Sequence, residues 1–157
     1  MTVSALPFNT PVHISADNAQ QVIDAIRAAT AGNVYRATSH GHASTFLYTV
    51  DANIGVHSIM DGQSRPPTPS IMIAVTSLPR TQQGPETDGH TPWRLDITVH
   101  LDELDGTPAG QGRPAVTVEL RENGIELHAT AWLPVSPTAD KRLFNDTYLL
   151  ELADPRT

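Results

Sequence analysis

Apolar residues recur at helical spacing in a single stretch of this chain, close to the N-terminus. Between Ser15 and Gly32 they repeat every three or four positions, and polar residues fill the opposite face. The stripe consists of Ala19, Val22, Ile23, Ile26 and Ala29. Ser15 suits an N-cap, Asp17 suits the first turn, and Gly32 suits a left-handed stop. The pattern therefore predicts a helix that begins at Ala16 and packs one face on a sheet.

After Gly32 the pattern changes to the two-residue alternation and the branched side chains of β-strands. The predicted strands are 34–38, 46–50, 54–60, 71–78, 93–102 and 147–152, with a short edge strand at 11–14 and an optional short helix at 139–145. Asp51-Ala52-Asn53 resembles a tight turn between two of these strands. The strand at 71–78 is apolar almost throughout, which is typical of a strand covered on both faces.

Residues 93–102 alternate cleanly, so they predict a strand with one buried and one solvated face. The buried set is Trp93, Leu95, Ile97, Val99 and Leu101. The solvated set is Arg94, Asp96, Thr98, His100 and Asp102.

Asn123-Gly124 is the preferred sequence for a two-residue type I′ hairpin turn. A turn centred there places Leu120 opposite Leu127, Arg121 opposite Glu126, and Glu119 opposite His128. Apolar residues then face apolar ones and charges face countercharges along the ladder, so we predict this register. Taken together, the elements predict a single α+β domain over 1–157. It would be mainly an antiparallel sheet of about seven strands, curled or sandwich-like, with the helix packed on it.

Three long connections rich in Pro and Gly, at 61–70, 79–92 and 103–114, are candidates for function. If consecutive strands pair as hairpins, the first and third share one rim, and the second lies at the other rim beside the Asn123-Gly124 turn. We expect Arg65 and Arg113 in the first and third loops to contact a partner, followed by Arg80 and Glu86 in the second. On the polar face of its strand, Trp132 is a candidate interface anchor.

The formal net charge of −7, from ten basic and seventeen acidic residues, argues against nucleic-acid binding and suits a basic protein partner. No cysteine is present, which removes disulfides and thiolate chemistry. The N-terminal segment does not resemble a secretory signal, and no apolar run has the length of a membrane span. We therefore expect a cytoplasmic protein without a membrane partner, or one assembled in the cytoplasm into a particle.

Candidate chemistry is limited to histidines and carboxylates. The pairs His40/His42 and His100/Asp102 each have the two-residue spacing that places side chains on one side of a strand, so they are weak candidates for a metal site. A Glu119–His128 pair would orient an imidazole as a base. The sequence contains no HExxH, no GxSxG, no Walker A and no GxGxxG motif, so no cofactor is expected.

Three functions follow as hypotheses. The first is a non-catalytic protein-binding or assembly subunit, such as a homo-oligomeric or virion-type structural component, acting through the long loops. The second is an acidic inhibitor or immunity-type protein that caps a basic partner. The third is a metal-dependent enzyme that uses the histidines and carboxylates named above.

Overall fold

The computed structural model describes residues 6–57, 68–93, 95–134 and 141–153. Within them one α-helix and eight strands are present. They are β1 Val12–His13, α1 Ala19–Thr30, β2 Tyr35–Ser39, β3 His42–His57, β4 Thr68–Ser77, β5 Leu95–His100, β6 Ala115–Arg121, β7 Gly124–Pro134 and β8 Lys141–Leu152.

The described strands form one antiparallel sheet in the order β1-β6-β7-β8-β2-β3-β4-β5, curled into a half-barrel. Two meanders, β2 to β5 and β6 to β8, lie side by side, and the β2–β8 pairing joins them. The expected α+β class with a mainly antiparallel sheet is confirmed, with eight strands rather than about seven.

The β5–β6 connection is a crossover, and this corrects the predicted loop arrangement. Neighbouring strands run in opposite directions, so the β4–β5 loop lies at one rim and the β6–β7 turn lies at the other. The prediction that these two lie side by side is therefore wrong, because it assumed that β5 and β6 pair. Instead the β5–β6 connection passes from one rim to the other, and on the way Gly106 donates a backbone hydrogen bond to the Ile14 carbonyl.

Helix α1 packs on β3 with the predicted apolar stripe inward. Val22, Ile23 and Ile26 are buried, as predicted. At the ends the prediction is wrong by a few residues: the helix begins at Ala19, and Ala29 is exposed, while Thr30 is buried and donates its hydroxyl to the Ile26 carbonyl. The helix starts late because residues 15–18 form a turn of their own. No described helix is long and apolar enough to cross a membrane.

The predicted turn at Asp51-Ala52-Asn53 is absent, because these residues continue a single 16-residue strand, β3. Ala52 is fully buried and points to the core, whereas Asp51 is exposed on the outer face and Asn53 is half-buried there. The alternation of the strand therefore runs straight through the polar residues. The tripeptide therefore has a composition typical of turns but forms a strand.

Three further strand predictions need correction. On β4, Met72 and Ala74 are half-buried, so the strand is not covered equally on both faces. Strand β5 ends at His100, and residues 101–103 form a short 3-10 helix. The chain from Lys141 is extended up to Leu152, so the optional helix at 139–145 is wrong wherever the structure describes it.

The β6–β7 hairpin keeps the predicted faces but shifts the predicted register by two residues. Leu120 pairs with Ile125 and Val118 with Leu127, so the connecting residues are Glu122 and Asn123. Gly124 is already in β7, and a Cβ there would overlap the carbonyl oxygen of Leu150 on β8. The glycine is therefore required by the close approach of a neighbouring strand rather than by a type I′ turn.

The turn with two positive φ angles lies elsewhere, between β2 and β3. His40 has φ 52° and Gly41 has φ 77°, and their flanking residues Ser39 and His42 are paired. Two central residues in the left-handed region define the type I′ geometry that suits a twisted hairpin. This turn is not apparent from the sequence, because His-Gly is a weaker signal for a type I′ turn than Asn-Gly.

Candidate functional site

A cleft of about 360 Å3 opens at the β4–β5 end of the sheet. The residues that line it come from the end of β4, the connection before β5, and β5 itself: Val75, Thr76, Ser77, Thr91, Pro92, Trp93 and Asp96. The lining combines an indole, two apolar side chains and three hydroxyls. Of these described lining residues, only Asp96 carries a charge. The volume lies at the small end of the range for ligand pockets, so the cleft suits one side chain or a small group.

Trp93 is held in the wall of the cleft by tyrosines from two distant strands. Its backbone N–H donates to the Tyr48 hydroxyl at 2.9 Å, and this hydroxyl also forms a 2.8 Å hydrogen bond with Ser44 Oγ. Its ring meets the Tyr148 ring edge-on, with the centroids 6.4 Å apart. Tyr48 belongs to β3 and Tyr148 belongs to β8, so the wall is anchored in both meanders. These contacts hold the half-buried indole in one orientation.

Behind Trp93, a short polar chain runs to the β2–β3 turn. The Tyr148 hydroxyl donates to one carboxylate oxygen of Asp146, and the other lies 2.8 Å from His40 Nε2. Burial, with the nearby Asp146 charge as the second cause, raises the pKa of Tyr148 to about 12. The phenol therefore stays protonated, and remains a donor, even above the pH at which an ordinary tyrosine ionises.

On the outer face two carboxylates lie in one row beside the cleft. Asp51 pairs with Ala74, and Ala74 pairs with Asp96, so both acids project from the same face with a small residue between them. Two strand spacings separate their backbones by about 10 Å. Both residues are exposed, and no described basic side chain pairs with either. Among the described residues, this row places two carboxylates on the outer face beside the cleft.

Arg80 and Glu86, the predicted contacts of the second loop, belong to the folded structure of that loop. Arg80 donates to the Thr87 and His90 carbonyls, and its guanidinium lies 5.8 Å from the centre of the Phe46 ring. Glu86 folds back over Gly84, where a Cβ would overlap its carboxylate. Both residues are exposed. The guanidinium of Arg80 is therefore occupied within the loop, whereas the Glu86 carboxylate lies at the surface beside Gly84.

The same loop is fastened to β3 by Gln83. This side chain accepts from the Leu47 N–H at 2.9 Å and donates to the carbonyls of Leu47 and Leu78. Leu47 is buried, so its backbone groups need these partners. These hydrogen bonds therefore fix the long loop to the sheet.

In the third loop Arg113 forms an exposed 2.9 Å ion pair with Asp105. Hydrogen bonds from the Thr107 hydroxyl and backbone, ahead of the Arg113 charge, lower the pKa of Asp105. Trp132 lies in β7 with its backbone paired to Leu143. Arg65 lies outside the described residues.

The structure separates the four candidate metal ligands. His40 and His42 belong to the β2–β3 turn region and are exposed. His100 pairs with Ser70, which pairs with Gly55 near the far end of β3, about 40 Å along that strand from His42. Asp102 follows in the 3-10 helix. Among the described residues, no group of three or more potential ligands could hold a metal ion.

Two predictions about histidines, the exposure of His100 and the pairing of His128, are wrong for identifiable reasons. His100 was expected on the solvated face but is buried, and its Nδ1 lies within hydrogen-bond distance of the Thr68 and Ser70 hydroxyls. His128 does not face Glu119; it pairs with Thr117 and forms a side-chain hydrogen bond with Asn145. The two-residue register shift accounts for the second failure.

The residues of the cleft were only partly visible in the sequence. The alternation placed Asp96 on the outer face correctly, but Trp93 was assigned to the core. Trp93 precedes the start of β5, and the end of a strand is where a core-facing side chain becomes half-exposed. Comparisons with protein-family models, curated proteins and solved structures found no match for this chain.

Proposed function

We propose that this chain is a non-catalytic protein-binding subunit that contacts its partner at the Trp93 cleft. The observation that carries the proposal is the cleft itself. In it the Trp93 indole, held in place by Tyr48 and Tyr148, lies beside apolar side chains and hydroxyls. Tryptophan is among the residues most enriched in binding hot spots, especially where it fits a pre-formed pocket. A rigid site loses little conformational entropy on binding.

The adjoining loop supports the same proposal. Because Gln83 and Arg80 hold the 79–92 connection in place, the segment that supplies Thr91 and Pro92 to the cleft is ordered before any partner arrives. The proposed contact therefore lies at the base of the second loop, whereas the sequence pattern favours Arg65 and Arg113 as first contacts. The proposed binding includes self-association into a homo-oligomer or a virion-type particle, in which the partner is another copy of this chain.

A blocking substitution tests the proposed function. We expect Thr76→Trp to fill the cleft from its exposed edge, while the matched substitution Thr45→Trp adds the same bulk to an exposed position of β3 outside the cleft. Light scattering over a range of concentrations, together with affinity capture from the native host, measures self-association and partner binding. Thr76→Trp should abolish the association that the wild type and Thr45→Trp retain. Equal association of all three would overturn the proposal.

A further inference from the structure

We propose that the group received by the Trp93 cleft is the basic side chain of a protein partner, most suitably the guanidinium of an arginine. This inference rests on the proposed function, since it names the chemistry recognised at the same site. The cleft offers a tryptophan and one carboxylate, Asp96, among otherwise neutral described residues. An indole face together with a carboxylate is a combination that attracts a planar cation.

Charge around the cleft favours a cation over a neutral or acidic group. Asp51 lies in the same outer-face row as Asp96, and described basic side chains compensate neither of them. Two described arginines already have acidic partners away from the cleft: Arg121 lies between Glu119 and Glu126, and Arg113 pairs with Asp105. With a net charge of −7, the whole chain also attracts a basic partner at long range.

Size and hydrogen bonding favour a guanidinium over a larger ligand. The volume of about 360 Å3 matches one long side chain better than an extended molecule. Guanidinium presents several N–H donors in one plane, and the hydroxyls of Thr76, Ser77 and Thr91 add acceptors around the Asp96 carboxylate. A lysine ammonium satisfies the charge but cannot stack on the indole with the same planar fit.

A set of short peptides that differ only in one central residue tests the inference with the full chain. The central residue is arginine, its neutral isostere citrulline, or glutamate, and a neutral disaccharide serves as a separate probe. Binding is followed by the NMR shift of the Trp93 indole N–H, with Trp132 as an internal reference. We expect the arginine peptide to shift the Trp93 signal, and the citrulline and glutamate peptides to bind at least about fivefold more weakly.

Isosteric variants separate this inference from the proposed function. Asp96→Asn should weaken the binding of the arginine peptide by about five- to tenfold at low salt. Asp17→Asn removes the same charge at an exposed site outside the cleft, and it should change the affinity for this peptide less than twofold. If the citrulline peptide or the disaccharide shifts Trp93 as strongly as arginine does, the basic side chain is the wrong ligand although the cleft binds. If no probe shifts Trp93 and Thr76→Trp also leaves association intact, both proposals fail.

Discussion

At the scale of single residues, the core is set by a few fully buried side chains whose position the apolar pattern predicted. Ile26 has no exposed surface and lies on the inner face of α1. Its neighbour Arg27 is exposed on the same helix. The pair therefore offers an inward and an outward position one residue apart.

Replacing Ile26 by Ala should cost about 2–5 kcal/mol of unfolding free energy, because a large aliphatic side chain is removed from a closely packed site. Chemical denaturation of the variant measures this loss. Arg27→Ala is the control and should change stability by less than about 0.5 kcal/mol. A stability unchanged by Ile26→Ala would contradict the placement of the helix.

Gly124 and Asn123 test the corrected hairpin. Gly124→Ala should destabilise the fold by about 1–3 kcal/mol, since the added methyl group overlaps the β8 backbone. Asn123→Ala should have a much smaller effect, because Asn123 is not among the described residues with positive φ. Denaturation of both variants decides between the registers, since a type I′ turn centred on Asn123-Gly124 would make the asparagine costly to replace.

At the scale of elements, helices and strands with an uninterrupted periodicity could be predicted from the sequence. Elements whose extent depends on a tertiary contact could not. The stripe of α1 from Ala19 to Ile26 and the apolar face of the β6–β7 hairpin followed from spacing alone, whereas the burial of His100 on β5 did not. The continuation of β3 through Asp51 did not, because pairing with β4 outweighs the turn preference of a polar tripeptide. The cleft was missed for the same reason: its walls come from separate strands that only the fold brings together.

Because Gln83 fixes the second loop to β3, its removal should reduce hydrogen-exchange protection locally, at the Leu47 amide. Gln83→Ala should leave the buried Leu47 N–H without its side-chain acceptor, at a cost of about 1–3 kcal/mol, while the Leu47 carbonyl keeps its hydrogen bond from the Leu78 N–H. Hydrogen exchange at the Leu47 amide should accelerate markedly, whereas Gln82→Ala, at an exposed position one residue earlier, should leave it unchanged. Unchanged exchange in both variants would show that the loop is not held in this way.

The third loop predicts a pH dependence whose sign follows from Asp105. The pKa of Asp105 is lowered below the ordinary 3.8, so ionisation of this carboxyl group stabilises the folded loop. The stabilisation is fully present above pH 3.8 and is lost as the pH falls through the lowered pKa. Thr107→Val should raise the pKa of Asp105 more than Arg113→Gln, because the Thr107 hydrogen bond is the larger cause. An NMR titration of the carboxyl group compares them; the reverse order would contradict this assignment.

At the scale of the whole molecule, the two meanders are joined where β2 pairs with β8, and this makes the expected single domain testable. Trp132 lies in the β6–β8 meander, and Trp93 lies in the β2–β5 meander with its ring against Tyr148 of the other one. Variants that keep only one tryptophan, Trp93→Phe and Trp132→Phe, allow fluorescence to follow each half during denaturation. We expect coincident transitions, and Leu150→Ala at the junction should lower both midpoints together. Separate midpoints would show two independent units.

The β2–β8 junction also dictates when the protein can finish folding. Tyr35 pairs with Leu152, and Val12 pairs with Val118, so the sheet depends on contacts between distant parts of the chain. Topologies dominated by such contacts fold slowly, in roughly milliseconds to seconds. During synthesis the free side of β2 lacks its partner until β8 has left the ribosome. A nascent chain therefore carries an unpaired β2 edge from the time that β2 emerges until β8 follows it, and exposed strand edges of this kind favour aggregation.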